Sequence, residues 1–396
     1  MKTLFYNISI WVVAMLLFLL LQPYFVWKYV GMFNWIVLLP LYVILLLQEK
    51  SSDNFLFVLL FGALTILASI CNGQNIVGQI FNLGLAFVFL PGLDYMNDVY
   101  ERFRLIFIII ISLSIISYIL FMVGVPLPSY TIAPLNTLKD YYYQAYPFFV
   151  RSLRMEDYAR FCGPFDEPGA LGTAALIFLL IEKFNLRRWG NIIVLIAGIL
   201  SLSLFFYLAL AIYLVFILFS RGIVIWNKIV IIIMLGLGVF FIFENPIANE
   251  LILERVQWNE ETGTIVGDDR SHSDLDYYME SIKGTETYFW GLRDLTLRDS
   301  FNDSASLNNA ILRYGFVVVF LYFVLFFLFA YSYLGISWSL LTFMAMLFAV
   351  LYNRPTMFEA SRLFMYVMCV YKLADFSDNT EEDILDEDEN TSYVIE

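Results

Sequence analysis

Arg-Phe-Cys-Gly-Pro-Phe-Asp-Glu-Pro-Gly-Ala-Leu-Gly-Thr, residues 160–173, is where the chain passes from a long polar loop into the uncharged run Ala170 to Ile181. Pro168 suits the first turn of a helix, because its missing N–H would lack a partner there anyway, and Asp166 can cap the same turn. A helix beginning here presents free N–H groups and the positive end of its dipole. With Arg160 beside it, that start is a seat for a phosphate. The same features also fit an ordinary helix entry with an arginine at a membrane surface.

Working outward, the apolar run is one of many. The chain has 396 residues, 61% hydrophobic and only 15% charged, with a mean hydropathy of +0.75. A soluble globular chain has no use for so much apolar surface, so the expected class is an all-α polytopic membrane protein. Aromatic residues make up 18%, and tyrosines and tryptophans near the ends of apolar runs fit an interfacial belt. The net charge of −13 is concentrated in the tail. Acids crowd the stretch from Asp375 to Glu396, whose few apolar residues predict a disordered segment. Cys71, Cys162 and Cys369 are scattered and form no ligand spacing. The first apolar run, Ile8 to Leu21, lacks a small-residue cleavage site and reads as a retained span.

At about 20 residues per crossing, spans fall near 5–22, 31–48, 55–71, 76–93, 104–124, 169–184, 190–204, 205–222, 227–244, 308–331, 334–351 and 356–373, about twelve in all. Ser201 and Ser203 mark the break between the seventh and eighth; without it the count drops by one and the later topology inverts. With the N-terminus inside, inner positions carry Lys2, Lys50, Arg102, Arg104, Lys183, Arg187, Arg188, Arg221, Lys228 and Lys372, whereas short outer connections carry Lys28, Arg354 and Arg362. This obeys the positive-inside rule and puts both termini in the cytoplasm. The expected organisation is spans over 1–124, a large outer loop over 125–168, spans over 169–244, a second outer loop over 245–307, spans over 308–373, and the acidic tail over 374–396.

Both long loops carry tyrosines, arginines and acids without low complexity, so folded caps are expected. In the second, Leu275, Tyr278, Met279 and Ile282 recur at helical spacing, predicting an amphipathic helix over Asp274 to Lys283 with Ser271 or Ser273 as its cap. Arg270 and His272 then precede a helix start, as Arg160 does. The outer loops favour arginine: Arg151, Arg154, Arg160, Arg255, Arg270, Arg293 and Arg298, with Arg313 a turn inside the next span. A planar guanidinium suits phosphate better than an ammonium does, although pairing with loop carboxylates would also retain arginines. His272 is the only histidine. The acids around it, Asp268, Asp269, Asp274 and Asp276, lack the order of a calcium loop, so no metal is expected. Glu167 can accept a proton from a sugar hydroxyl or simply sit as an acid at a helix start.

The phrase formed by Arg160, Gly163, Glu167, Pro168, Gly169, Leu171 and Gly172 resembles the segment before a central span in Wzy-type O-antigen and capsule polymerases. Arg270 ahead of its helix, the Phe-Trp-Gly-Leu turn at 289–292 and the polar entry from Asp303 to Gly315 extend the resemblance over about residues 150–320. It implies a GT-C-like, metal-independent membrane glycosyltransferase without cofactor, acting on polyprenyl-diphosphate-linked glycan donor and acceptor at the outer face of the bacterial inner membrane. Arg160 and Arg270 would hold the diphosphate leaving group. Arg154, Gly163, Gly169, His272, Arg293, Asp303 and Arg313 are the expected substrate contacts. The base stays open between Glu167, Asp303 and His272, with Glu167 the favoured catalytic candidate. Beyond the lipid bilayer, a chain-length regulator is a candidate partner, and no nucleic-acid partner is expected.

The related O-antigen ligases carry a His-Asn pair where this chain has Asp303 to Ser306, which favours polymerase over ligase. A secondary transporter or lipid-linked-sugar flippase would place charges or broken helices at the midplane, and the span centres here are nearly uncharged. A scaffold using the acidic tail is the remaining alternative.

Overall fold

The computed structural model describes residues 2–219 except 49, 53, 75, 136–140 and 154–159. It also describes isolated positions between 229 and 249, residues 258–259 and 264–265, and 273–375 except 295–296, 299–300 and 302–306. The protein is mostly helical, at 74%, with few strands. Among the described residues two helices are long and apolar enough to cross a membrane, Leu93–Met122 and Phe316–Leu334, and several shorter apolar helices accompany them.

Among the described residues the α-helices are α1 Lys2–Leu20, α2 Leu39–Leu47, α3 Phe55–Cys71, α4 Ile76–Gly84, α5 Leu93–Met122, α6 Pro168–Ile181, α7 Trp189–Leu200, α8 Leu204–Phe219, α9 Ser273–Ile282, α10 Glu286–Trp290, α11 Leu307–Tyr314, α12 Phe316–Leu334 and α13 Trp338–Asn353. A further helix, α14, covers 360–375. The chain divides into two compact units. One comprises Met1–Leu20, Gly31–Leu105 and Asp274–Glu396, the other Leu21–Val30 and Ile106–Ser273.

The first unit is cemented by aromatic side chains. Phe89 packs edge-on against Phe329 at 4.9 Å, and Phe61 meets Phe89 at 5.2 Å; Phe61, Phe89, Phe326 and Phe329 are all fully buried. At the start of α3, the buried Asn54 donates to the Tyr371 hydroxyl at 2.7 Å and accepts from Tyr333. Helix α5 begins eleven residues before the expected 104, since 93–103 continues the same helix. Glu101 and Arg104, one turn apart at 3.9 Å, suit that helical surface.

In the second unit α6 is central. Residues from Leu171 to Ile181 are all buried, and a helix apolar on every side must be surrounded by protein or lipid. Its first half is small, with Gly169, Ala170, Gly172, Thr173, Ala174 and Ala175, so neighbours approach closely. A Cβ on Gly172 would lie 2.7 Å from that of Ser203. Phe178 stacks on Phe107 of α5 at 4.3 Å. The expected break after α7 is present: Ser201 donates to the Gly198 carbonyl at 2.6 Å, and Leu202 takes a left-handed φ of 47° before α8 starts.

The polar segment 125–168 is folded, as three strands: β1 Tyr130–Ile132, β2 Tyr143–Tyr146 and β3 Phe149–Ser152 form an antiparallel meander. Pro147-Phe148 makes a two-residue turn between β2 and β3, with Phe148 at φ 66°. The expected tenth span, 308–331, is split at Gly315 into the polar α11 and the apolar α12. Two more strands, β4 Trp258–Asn259 and β5 Thr264–Ile265, pair antiparallel in the second large loop. The expected ninth span falls almost wholly outside the described residues, as does the tail beyond 375.

Candidate functional site

In the second unit the strands and their neighbours hold the segment 160–168 through backbone hydrogen bonds. The Val150 N–H donates to the Gly163 carbonyl at 2.9 Å, that of Tyr24 to Pro164 at 2.7 Å, and that of Phe161 to Leu200 at the end of α7 at 3.1 Å. Gly163 sits at φ 57°, a conformation that favours glycine. The buried Tyr143 donates its hydroxyl to the Asp166 carbonyl at 2.6 Å. Burial, and after it the neighbouring Tyr141 hydroxyl, pushes the Tyr143 phenol well above its ordinary range. Tyr143 therefore stays a donor throughout the physiological range. Removing that hydroxyl in Tyr143→Phe deletes this bond, at a cost of about 1–2 kcal/mol. A fall in melting temperature of the detergent-solubilised chain would show this, and an unchanged melt would mean that the bond does not hold the segment.

Helix α6 starts as expected with Pro168 in its first turn, but Glu167 and not Asp166 is its N-cap residue. The Glu167 side chain makes no capping hydrogen bond, and the Asp166 carbonyl is held by the sheet. Glu167 has an extended backbone, φ −144° and ψ 144°, and its carbonyl accepts from Ala170 at 3.1 Å. Arg160 and Glu167 are half-buried, whereas Gly163 and Gly169 are buried. Gly169 lies inside the first turn and its carbonyl accepts from the Thr173 hydroxyl at 2.8 Å. This unit thus gathers Arg160, Gly163, Glu167 and Gly169 at one helix start.

In the first unit the two remaining motifs interlock. The Leu292 N–H donates to the Leu312 carbonyl at 2.7 Å, and Gly315 N–H to that of Ile311 at 2.7 Å. Gly291 and Gly315 have φ of 84° and 85°. A Cβ on Gly315 would lie 2.3 Å from the Phe289 carbonyl oxygen, and one on Gly291 3.0 Å from that of Arg313. The glycines of the Phe-Trp-Gly-Leu turn and of the Tyr-Gly pair are therefore required by the same close backbone crossing. Arg313 donates from Nε to Asn309 at 3.0 Å; Arg293 is exposed on the crossing. Helix α9 buries Leu275, Met279 and Ile282, as the spacing predicts, and Asp276 accepts from Asn308 of α11 at 2.8 Å.

Arg154, Arg270, His272 and Asp303 lie outside the described residues, as does Ser271. Among the described residues no group of three His, Cys, Asp or Glu side chains is placed to hold a metal ion. Sequence reasoning missed Tyr143, the clamp on 166, because a contact over 23 residues leaves no periodic trace. It also missed the pairing of Arg298, which donates to the Asn72 carbonyl at 3.0 Å and to its side chain at 2.6 Å. Comparison with family models, with curated proteins and with solved structures finds no match to the chain.

Proposed function

We propose that the chain is a membrane glycosyltransferase that polymerises polyprenyl-diphosphate-linked oligosaccharide repeat units into O-antigen, capsular or exopolysaccharide at the outer face of the bacterial inner membrane. The observation that carries the reading is the start of α6, where Arg160 precedes a helix N-terminus with Pro168 in its first turn and Glu167 at its N-cap. A helix start carries the positive end of the dipole, which favours an anion, and a guanidinium beside it adds a formal charge. The resemblance of 160–172 to the polymerase segment, and the crossing of the two later motifs, support it.

The architecture in this reading has about twelve spans with both termini cytoplasmic and the two large loops outside. Fourteen residues of α6 make a rod of about 21 Å, shorter than the ~30 Å hydrocarbon core. Its C-terminal end is followed by Lys183, Arg187 and Arg188 at the inner surface. The N-terminal end is then recessed from the outer surface beneath the sheet cap, at a depth a lipid diphosphate reaches.

In the reaction, a hydroxyl oxygen of the incoming lipid-linked unit attacks the anomeric carbon of the growing chain. A C–O bond forms, the C–O bond to the diphosphate breaks, and its electron pair stays on the diphosphate. Arg160, with Arg270, stabilises that leaving group. The hydroxyl proton passes to a base among Glu167, Asp303 and His272. Binding both sugars side by side supplies the remaining acceleration.

The test is the purified protein with a lipid-linked repeat unit. A ladder of glycan lengths from the wild type, lost in Arg160→Ala and Arg270→Ala variants that still melt cooperatively, is the expected result. Transfer of a single unit would indicate a ligase-type reaction. No product from several chemically distinct repeat units would overturn the reading in favour of transport.

A further inference from the structure

In the second unit the turn that joins β2 to β3 holds an aromatic ring at a backbone position that does not suit one. Phe148 follows Pro147, at the place in such a turn where glycine or asparagine usually stands, and its φ of 66° is left-handed. A residue with a Cβ takes that conformation at a cost that glycine avoids. The position is nevertheless fixed from two sides. The fully buried Ser114 of α5 donates to the Phe148 carbonyl. Tyr24, from the connection between α1 and α2, accepts from the Phe148 N–H at 3.3 Å and donates its hydroxyl to the Tyr146 carbonyl at 3.0 Å. A left-handed residue other than glycine persists where its surroundings over-determine it, and such places cluster at ligand-binding sites.

Packing accounts for the neighbours of this ring better than for the ring itself. Tyr146 stacks on Phe149 at 4.8 Å and Phe149 is buried, whereas Phe148 is 39% exposed. Bilayer hydrocarbon does not explain the exposure either. On the same small sheet Gln144 donates to Ser129 at 2.8 Å and accepts from Thr131 at 3.3 Å, both at the surface, and Arg151 stands directly opposite Gln144. Hydrocarbon would deprive these groups of water, so the sheet stands in a polar layer. Hydroxyls, an amide and a guanidinium on a sheet that ends in an exposed ring suit a saccharide, which carries hydroxyls at its edge and an apolar C–H face. The turn also adjoins the candidate site. Tyr24, which holds it, donates its own N–H to the Pro164 carbonyl at 2.7 Å, and Val150, two residues on, donates to Gly163 at 2.9 Å.

We propose that Phe148 is a saccharide contact, its ring the platform on which a sugar of the bound glycan lies beside the Arg160–Thr173 segment. That this sugar belongs to a lipid-linked unit rests on the polymerase reading. A stacking ring takes no part in the departure of the diphosphate, so its loss is read in affinity for the sugar and leaves affinity for the bare lipid diphosphate unchanged.

The experiment measures binding to the full chain in detergent by equilibrium dialysis, independent of turnover. The probes are polyprenyl diphosphate alone and polyprenyl diphosphate carrying a hexose or an N-acetylhexosamine disaccharide. Phe148→Leu keeps an apolar side chain without an aromatic face, Phe148→Asn is a ringless variant at ease in the left-handed region, and Phe148→Trp keeps the face; thermal melting confirms that each is folded. The wild type is expected to bind a sugar-bearing lipid more tightly than the bare one. Phe148→Leu and Phe148→Asn should reduce that preference by about tenfold, with binding of the bare lipid unchanged, and Phe148→Trp should retain it. An equal loss for bare and sugar-bearing lipid would make the ring a lipid contact and overturn the proposal. So would a preference that survives loss of the ring, or a wild type that prefers none of the sugar-bearing lipids. A sugar preference that falls with the ring, without a glycan ladder from any unit, would sink the polymerase reading and leave the contact standing; a ladder with the preference untouched would do the reverse.

Discussion

Gly315→Ala is expected to destabilise the first unit by about 3 kcal/mol or more. A left-handed alanine costs about 1–2 kcal/mol, and a methyl 2.3 Å from the Phe289 carbonyl oxygen cannot be accommodated without moving backbone. Such overpacking adds a further 1–3 kcal/mol. The obstacle is a carbonyl and not the far end of a flexible side chain, so rotamer change gives no relief. The crossing also holds Leu292 to Leu312 at 2.7 Å, so the turn after α10 is pushed away with it. Gly335→Ala is the matched control. Its φ of 57° is also left-handed, but nothing lies within 4 Å of an added Cβ, and only the backbone cost of about 1–2 kcal/mol remains. Thermal or denaturant melts in one detergent would compare them. Equal losses would mean that the 289–292 and 312–315 segments do not cross as tightly as described.

Arg160→Lys is expected to lower the polymerisation rate by about 10²-fold, and Arg160→Ala by about 10³-fold, with little change in melting temperature. Lysine keeps the charge and loses the planar fork that can grip two phosphate oxygens; alanine loses both contributions to leaving-group stabilisation. Arg187→Ala, an exposed site beyond the other end of α6, should leave the rate unchanged. Initial rates of ladder growth at saturating lipid-linked unit would separate these effects. A fully active Arg160→Lys protein would reduce the role to point charge. A fully active Arg160→Ala protein would remove Arg160 from the site.

The places where the chain differs from its sequence-level reading share a cause. Asp166 has the side chain of a cap, yet Tyr143 draws its carbonyl to the sheet and Glu167 takes the cap position. The segment 308–331 reads as one span because its mean hydropathy is high. Asn308, Asn309 and Arg313 lie in one polar turn region, however, and a left-handed Gly315 ends that helix before the apolar run begins. The strands of the first cap are only three or four residues long, too short to leave a clear alternating signal among so many aromatic residues. Arg362 reads as one more basic residue in a short outer connection. In the fold it is buried, at 8% exposure, and ion-paired with Glu359 at 3.1 Å.

What the sequence determined by itself is local: the helical class, the boundaries of α3, the break at Ser201–Ser203, the apolar stripe of α9, and the Arg160–Thr173 stretch as a helix start. Each follows from hydropathy, period and the preferences of proline, glycine and serine over a few residues, which neighbouring chain segments do not need to supply. The tertiary structure decided the rest: the meander clamped over residues 160–168, the burial of α6 from Leu171 to Ile181, and the crossing that demands Gly291 and Gly315. Those arrangements join residues far apart in the chain. Their stability comes from contacts that exist only after loops close and side chains pack, and no local pattern records them.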